Sequence, residues 1–279
     1  MAINWFPGHM AKTRREITEN LKLVDAVIEI RDARIVKSSK NPEIEAICGV
    51  KPRIILLNKC DLSEQRITKE WVSALTSEIV KVIPVNSMTG LGIKNIKPLL
   101  EELLKEKHDR LKAKGVVKIP TRVMVVGIPN VGKSSFINNM ARSHIAKTGD
   151  RPGVTRSKQW IKTSIGIELM DTPGILWPKH DQEVAVNLAF TGAIKDEVID
   201  IEELSLKLVE RLQTFYPTRL MERYKLESLN EDPLENLNSI ARKRGAVLAG
   251  GLIDYNRVAV LLLDEFRGGK LGSISLERP

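Results

Sequence analysis

The sequence predicts an α/β domain built on a mainly parallel sheet, followed by a small all-helical domain, and three observations lead there. Short β-branched runs alternate with segments of helical periodicity through the first two-thirds of the chain, strand signals stop after Trp177-Pro178, and the remainder carries apolar residues spaced by three and four. At 279 residues there is room for two domains, each with its own core, and the change of pattern divides them as 1–178 and 179–279.

The strands come first. Residues 24–30, 53–57, 82–85, 122–126 and 167–170 are short β-branched runs that read as buried strands. Between them, 63–79 and 93–107 carry apolar residues at helical spacing, and 158–165 predicts an extra strand paired with 167–170. The polar, basic stretch 108–120 reads as a connector. In the second domain Ile201, Leu204, Leu208, Leu212 and Phe215 share one helix face. Asp232-Pro233-Leu234-Glu235 has a capping residue, a first-turn Pro and an acidic residue, which is a helix start, and Val258, Leu261, Leu262 and Phe266 define another face closed by Gly268-Gly269.

Composition narrows the function. Hydrophobic residues make up 42% and charged residues 28%, and no apolar run approaches the ~20 residues that span a bilayer. The first ten residues lack the apolar stretch of a secretory signal. The expectation is a cytoplasmic protein with no membrane partner. Cys48 and Cys60 form no C-x-x-C unit, so neither a disulfide framework nor a zinc cluster is expected. The net charge is +9, and the basic excess lies in residues 1–180, which suits an RNA or other phosphate-rich partner as well as a solvated surface.

The chemistry is concentrated in motifs. Gly127-Ile128-Pro129-Asn130-Val131-Gly132-Lys133-Ser134 follows a predicted strand and opens a predicted helix, the context that a phosphate loop needs. Its glycines let backbone N–H groups, with those of Val131, Gly132 and Ser135 among them, turn toward phosphates; Lys133 reaches the β- and γ-phosphates and Ser134 offers its hydroxyl to Mg²⁺. Asn58-Lys59-Cys60-Asp61 stands at the carboxyl end of 53–57, where open α/β sheets bind ligands. A carboxylate there accepts both guanine N1–H and the exocyclic amino group, donors adenine does not present in that arrangement, so Asp61 selects GTP or GDP. Asp171-Thr172-Pro173-Gly174 ends 167–170, with Asp171 placed to hold Mg²⁺ through water and the Gly174 N–H to meet the γ-phosphate. Thr155 in the loop Pro152-Gly153-Val154-Thr155 is the candidate to complete the Mg²⁺ shell, and Asn86-Ser87-Met88 the candidate to bring a backbone N–H to the guanine oxygen.

In this order, base motif before phosphate loop, the set resembles the circularly permuted GTPases, and among them the bacterial GTPases of ribosome assembly. Trp5-Phe6-Pro7-Gly8-His9-Met10 and Arg31-Asp32-Ala33-Arg34 add to the resemblance, which covers essentially the whole chain. It implies a Ras-like P-loop GTPase domain with permuted topology and a helical domain in contact with RNA. It also implies a switch acting late in assembly of the large (50S) ribosomal subunit, binding the precursor, with its rRNA and ribosomal proteins, in the GTP state and leaving on hydrolysis. A monomer is expected.

Permutation has a physical consequence. The cut falls after Asp171–Gly174, so the nucleotide-sensing loop runs directly into the helical domain. Ile175 stands where Ras-like enzymes carry the water-orienting Gln, and it cannot hydrogen-bond water. His9, in the segment leading into the first strand, is the expected catalytic group, as the resemblance also implies. Asn130 matches the Asn that helps hold K⁺ in potassium-activated GTPases, beside the alternative that Asn suits a tight loop. The RNA-contact candidates are Arg142, Lys147, Arg151, Arg156, Lys158 and Lys162, and then Arg242-Lys243-Arg244. Two other readings remain open: an RNA-binding assembly scaffold in which GTP is structural, and a GTPase serving tRNA modification or metal-centre assembly.

Overall fold

The computed structural model describes residues 15–116, 120–141, 160–172, 174, 176 and 181–279. The described residues divide into two compact units, one of residues 15–176 together with Ser275–Pro279 and the other of residues 181–274.

The larger unit is organised by a six-stranded sheet: β1 (Ala26–Asp32), β2 (Arg53–Asn58), β3 (Val80–Pro84), β4 (Thr121–Gly127), β5 (Trp160–Lys162) and β6 (Ile167–Asp171). The order is β3-β2-β1-β4-β6-β5, with every neighbouring pair parallel except the antiparallel β5 and β6. β4, which feeds the phosphate-loop motif, sits in the interior between the first strand of the chain and β6. This is a Ras-like sheet whose chain begins at a different strand, the permutation that motif order predicts.

β1, β2 and β4 are the buried strands, and β1 and β2 are buried at every residue. One sheet face carries two apolar clusters. Val27, Met124, Val126 and Met170 pack with Ile17, Ile44 and Cys48, while Ile55, Leu57, Val80 and Val82 pack with Ala33, Ile67 and Trp71. Between them runs an ionic row on the same face: Arg31 Nε donates to Glu29 Oε1 at 2.7 Å, and the Arg53 guanidinium lies 3.4 Å from Glu29 Oε2. Buried charges of this kind are tolerated only in pairs.

Several elements differ from the sequence reading. The first strand lies at Ala26–Asp32 rather than 24–30, because its charged end is buried in ion pairs. The helix Lys105–Ala113 occupies much of the expected connector; none of its residues is buried, so it has no apolar face to announce it. The edge strand β5 ends at Lys162 instead of reaching 165, because Thr163 closes a turn in which its hydroxyl and N–H both donate to the Ile167 carbonyl at 2.9 Å. The helix Pro42–Cys48, capped by the Asn41 side chain accepting from the Glu43 N–H, carried no sequence expectation.

The second unit is helical throughout its long elements: Gln182–Phe190, Ile201–Phe215, Pro217–Tyr224, Pro233–Lys243 and Tyr255–Arg267. Ile201–Phe215 packs on both Pro233–Lys243 and Tyr255–Arg267 through Leu204, Leu208, Leu212, Leu237, Ile240, Val258 and Leu262. Asp200 and Asp232 cap their helices by accepting N–H bonds, the latter as read from sequence. Arg267 donates to the Ala189 and Phe190 carbonyls, terminal acceptors of Gln182–Phe190, and pairs with Asp196. Among the described residues no helix is long and apolar enough to cross a membrane.

Candidate functional site

The carboxyl ends of β1, β2 and β4 and the loops that follow them converge. Asn58, the last residue of β2, is 2% exposed and joins three loops: its Nδ2 donates to the Val131 carbonyl at 2.6 Å and its Oδ1 accepts from the Ser87 N–H at 2.9 Å. The Asn-Lys-x-Asp motif, the phosphate loop and the loop after β3 are thereby one rigid assembly. Gly132 is required by this closeness, since at φ +95° a Cβ would lie 2.4 Å from Asn58 Nδ2.

Lys59 and Asn130 are two of the three described non-glycine residues with left-handed φ, at 57° and 59°, and they meet: Lys59 Nζ donates to the Asn130 carbonyl at 2.8 Å. Such conformations cost roughly 1–2 kcal/mol each and persist where surroundings enforce them. Here the enforcing group is Asp32, at the end of β1, whose carboxylate lies 3.1 Å from Lys59 Nζ. Asp32 is held in turn by Arg34, with Nε at 2.9 Å, Nη2 at 2.8 Å and the backbone N–H at 3.0 Å. Burial alone would raise the Asp32 pKa, but Arg34 and then Lys59 hold it well below the usual carboxylate range. Asp61 follows in a 3₁₀ turn, Cys60–Leu62, with its side chain exposed at the rim.

On the phosphate side, β4 delivers the loop and the helix Lys133–Ala141 continues it. Lys133 Nζ donates to the carbonyls of Gly127 and Ile128 at 3.0 and 2.9 Å, curled across its own loop. Burial pushes its pKa down to about 8, with Asp171 opposing the fall. Gly174 lies against the loop: a Cβ there would be 2.8 Å from Lys133 Nζ and 3.1 Å from Pro129. Thr172, between them, donates its hydroxyl to the Val125 carbonyl at 2.7 Å and ties the start of this segment to β4.

With this geometry in view, the chain's relatives can be placed. A family model described as a 50S ribosome-binding GTPase matches residues 122–235. The chain is 48% identical to ribosome biogenesis GTPase A of Bacillus cereus over 280 residues, all of this chain and 95% of that one. The chain belongs to the ribosome biogenesis GTPase A family. The Thermotoga maritima member is 32% identical over 99% of this chain and 95% of its own, and mitochondrial ribosome-associated GTPase 1 of Xenopus tropicalis is 34% identical over 98% and 94%. A GNP-bound YlqF from T. maritima is similar in structure, with TM-score 0.64, 29% identity and coverage of 96% and 98%. Like the other members of the family, this chain is a GTPase, and Asn58–Asp61 lie ahead of the matched 122–235, as permuted order requires.

Asn58, Lys59, Asn130, Val131, Gly132, Lys133, Ser87 and Gly174 are thus brought together by the contacts above. Asn86 shapes its loop instead of pointing outward: its Oδ1 accepts from the N–H groups of Met88 and Thr89 at 2.8 and 3.0 Å. The N–H groups of Ser87, Met88 and Thr89 all have protein acceptors, whereas the buried Ser87 hydroxyl makes no hydrogen bond. His9, Thr155, Ile175 and the basic residues Arg142, Lys147, Arg151, Arg156 and Lys158 lie outside the described residues. Lys162 is exposed on β5, and Arg242 and Lys243 are exposed. Arg244 is turned inward: its guanidinium lies over the Tyr224 ring, 5.1 Å from the centroid, and 3.4 Å from Glu265, so it is a packing residue. Sequence reasoning missed the role of Asp32 and Arg34, which was visible only as a family-like string.

Proposed function

We propose that this GTPase acts in assembly of the large ribosomal subunit, binding the precursor in the GTP state and leaving after hydrolysis. The observation that carries the reading is the Asn58 bridge, which fixes a guanine-reading loop against a phosphate loop. Asp61 reads the guanine edge, Lys59 lies under the base, and Asn86 and Ser87 support that side. Asn130 to Ser135 wrap the phosphates, and Gly174 senses the γ-phosphate across Lys133. His9 positions the attacking water in place of Ile175, and the domains are 1–178 and 179–279.

The residues fit Mg²⁺. Asp171 interacts with Lys133 at the phosphate loop, beside Ser134. That suits a cation bound by one or two side chains and completed by phosphate oxygens and water. Ser134 and Thr155 would hold it directly and Asp171 through water; when bound it neutralises phosphate charge. K⁺ beside Asn130 completes the reading, in a cytoplasmic monomer. Exposed Lys162, Arg242 and Lys243 offer phosphate contacts to rRNA.

The test is a GTPase assay with and without purified large-subunit precursor. Marked stimulation supports the switch; intact GTP binding without stimulation favours the RNA-binding scaffold. An unchanged single-turnover rate in His9→Ala removes that residue from the mechanism, and equal turnover in NaCl and KCl removes potassium.

A further inference from the structure

Residues Ser275–Pro279 follow the helical unit in the chain yet belong to the unit that carries the sheet. Their contacts fall on the two loops that flank the guanine-reading motif. On the first, Leu276 donates its N–H to the Arg34 carbonyl at 2.9 Å. The Glu277 carboxylate accepts from the N–H groups of Lys37 at 2.6 Å and Ser38 at 3.0 Å, and also from the Ser38 hydroxyl. On the second, the Ser275 hydroxyl accepts from the Glu64 N–H at 3.0 Å, at the N-cap of the helix Gln65–Leu75 that leaves the Asn-Lys-x-Asp loop.

The Glu277 contact meets a physical need. Residues 35–39 form a turn closed by the Ser39 N–H donating to the Ile35 carbonyl at 2.8 Å, and Ser39 Oγ accepts from the Asp32 N–H at 3.1 Å. The Lys37 and Ser38 N–H groups at the head of that turn both donate to the Glu277 carboxylate, which accepts them as charge-assisted bonds. Leu276 holds the Arg34 backbone, Arg34 pairs with Asp32, and Asp32 pairs with Lys59.

We propose that Ser275 and Glu277 are positioning residues for guanine recognition, acting through Arg34, Asp32 and Lys59, so that the segment is a latch whose release loosens the base side of the site. Neither Ser275 nor Glu277 bonds the phosphate loop or Asp171 directly; they reach the phosphate side only through Lys59, which also donates to the Asn130 carbonyl, so the main effect is on nucleotide affinity. This rests on the guanine-site assignment proposed above.

The experiment follows release of a fluorescent GDP analogue by stopped flow from full-length protein, from Glu277→Gln and Ser275→Ala, and from a chain truncated after Ile274. Release is expected to accelerate roughly ten-fold in Glu277→Gln, as loss of one charge-assisted contact would give. Glu277→Asp, which keeps the charge, should restore part of it. KM for GTP should rise with kcat nearly unchanged, and the ratio of GDP to GTP-analogue affinity should hold. A double-mutant cycle should show that Asp32→Asn and Glu277→Gln are non-additive, since both act through Lys59. Unchanged release in Glu277→Gln, additive effects, or a fall in kcat alone would overturn the latch. Where the truncated chain does not fold, the point variants still decide. Failure of the parent protein to bind guanine nucleotide would instead sink the site assignment.

Discussion

The side-chain amide of Asn58 donates to the backbone carbonyl of Val131 at 2.6 Å, and so a residue of the base-reading strand holds the phosphate loop in place. Asn58→Ala leaves that carbonyl and the Ser87 N–H without partners, each at a cost of about 1–3 kcal/mol when buried. GDP affinity measured by calorimetry should fall by roughly 100-fold, with the far-ultraviolet circular dichroism unchanged. Affinity within two-fold of the parent would show that the bridge is dispensable.

Gly174→Ala places a methyl 2.8 Å from Lys133 Nζ. The lysine must shift or Gly174 must withdraw, and either displaces groups meant for the γ-phosphate. Single-turnover hydrolysis should drop about 10- to 100-fold, while GDP affinity falls by much less. Equal losses in both would place Gly174 in general packing instead.

Lys133 gives a pH dependence. With its pKa pushed down to about 8 by burial, the nucleotide-free protein loses this ammonium as pH rises through that value. Phosphates bind the charged form, so nucleotide affinity should weaken from pH 7 to 9, and binding near pH 8 should take up a proton. The stability of the free protein runs the other way, because the unfolded lysine stays protonated longer and stability therefore rises with pH above about 8. Calorimetry in buffers of different ionisation enthalpy reads the proton directly.

Asp32 controls the acid limb. Its folded pKa is depressed, so its contribution to stability is present above the ordinary carboxylate value and is lost as pH falls below it toward the folded value. Asp32→Asn should flatten that limb in thermal melts. At neutral pH it should destabilise by about 3–5 kcal/mol, the cost of removing the carboxylate that faces the buried Arg34 guanidinium. An acid limb identical to the parent's would assign the low-pH loss to other carboxylates.

The sheet and the motifs were legible because their chemistry is local. A phosphate loop needs fixed spacing between strand and helix, and parallel strands covered on both faces are rich in β-branched and other apolar residues. The end of β1 was read two residues short because Arg31 and Asp32 are charged, and nothing in the local sequence says that Glu29, Arg34 and Lys59 neutralise them. The helix Lys105–Ala113 was invisible because it buries nothing. The contact of Glu277 with Ser38 joins residues that lie 239 apart, and no spacing rule reaches so far.

The interior position of β4 bears on how this chain folds as it is made. β1, β2 and β3 can pair as soon as they leave the ribosome, but the other edge of β1 stays open until β4 arrives about ninety residues later. At about 5–20 residues per second that is a wait of roughly 4–18 s with a bare apolar strand edge, the kind of surface that recruits chaperones or wrong partners. The nascent protein therefore completes the strands of its base-reading half before any phosphate loop exists, and pulse-labelling of ribosome-bound chains should find that half protected first.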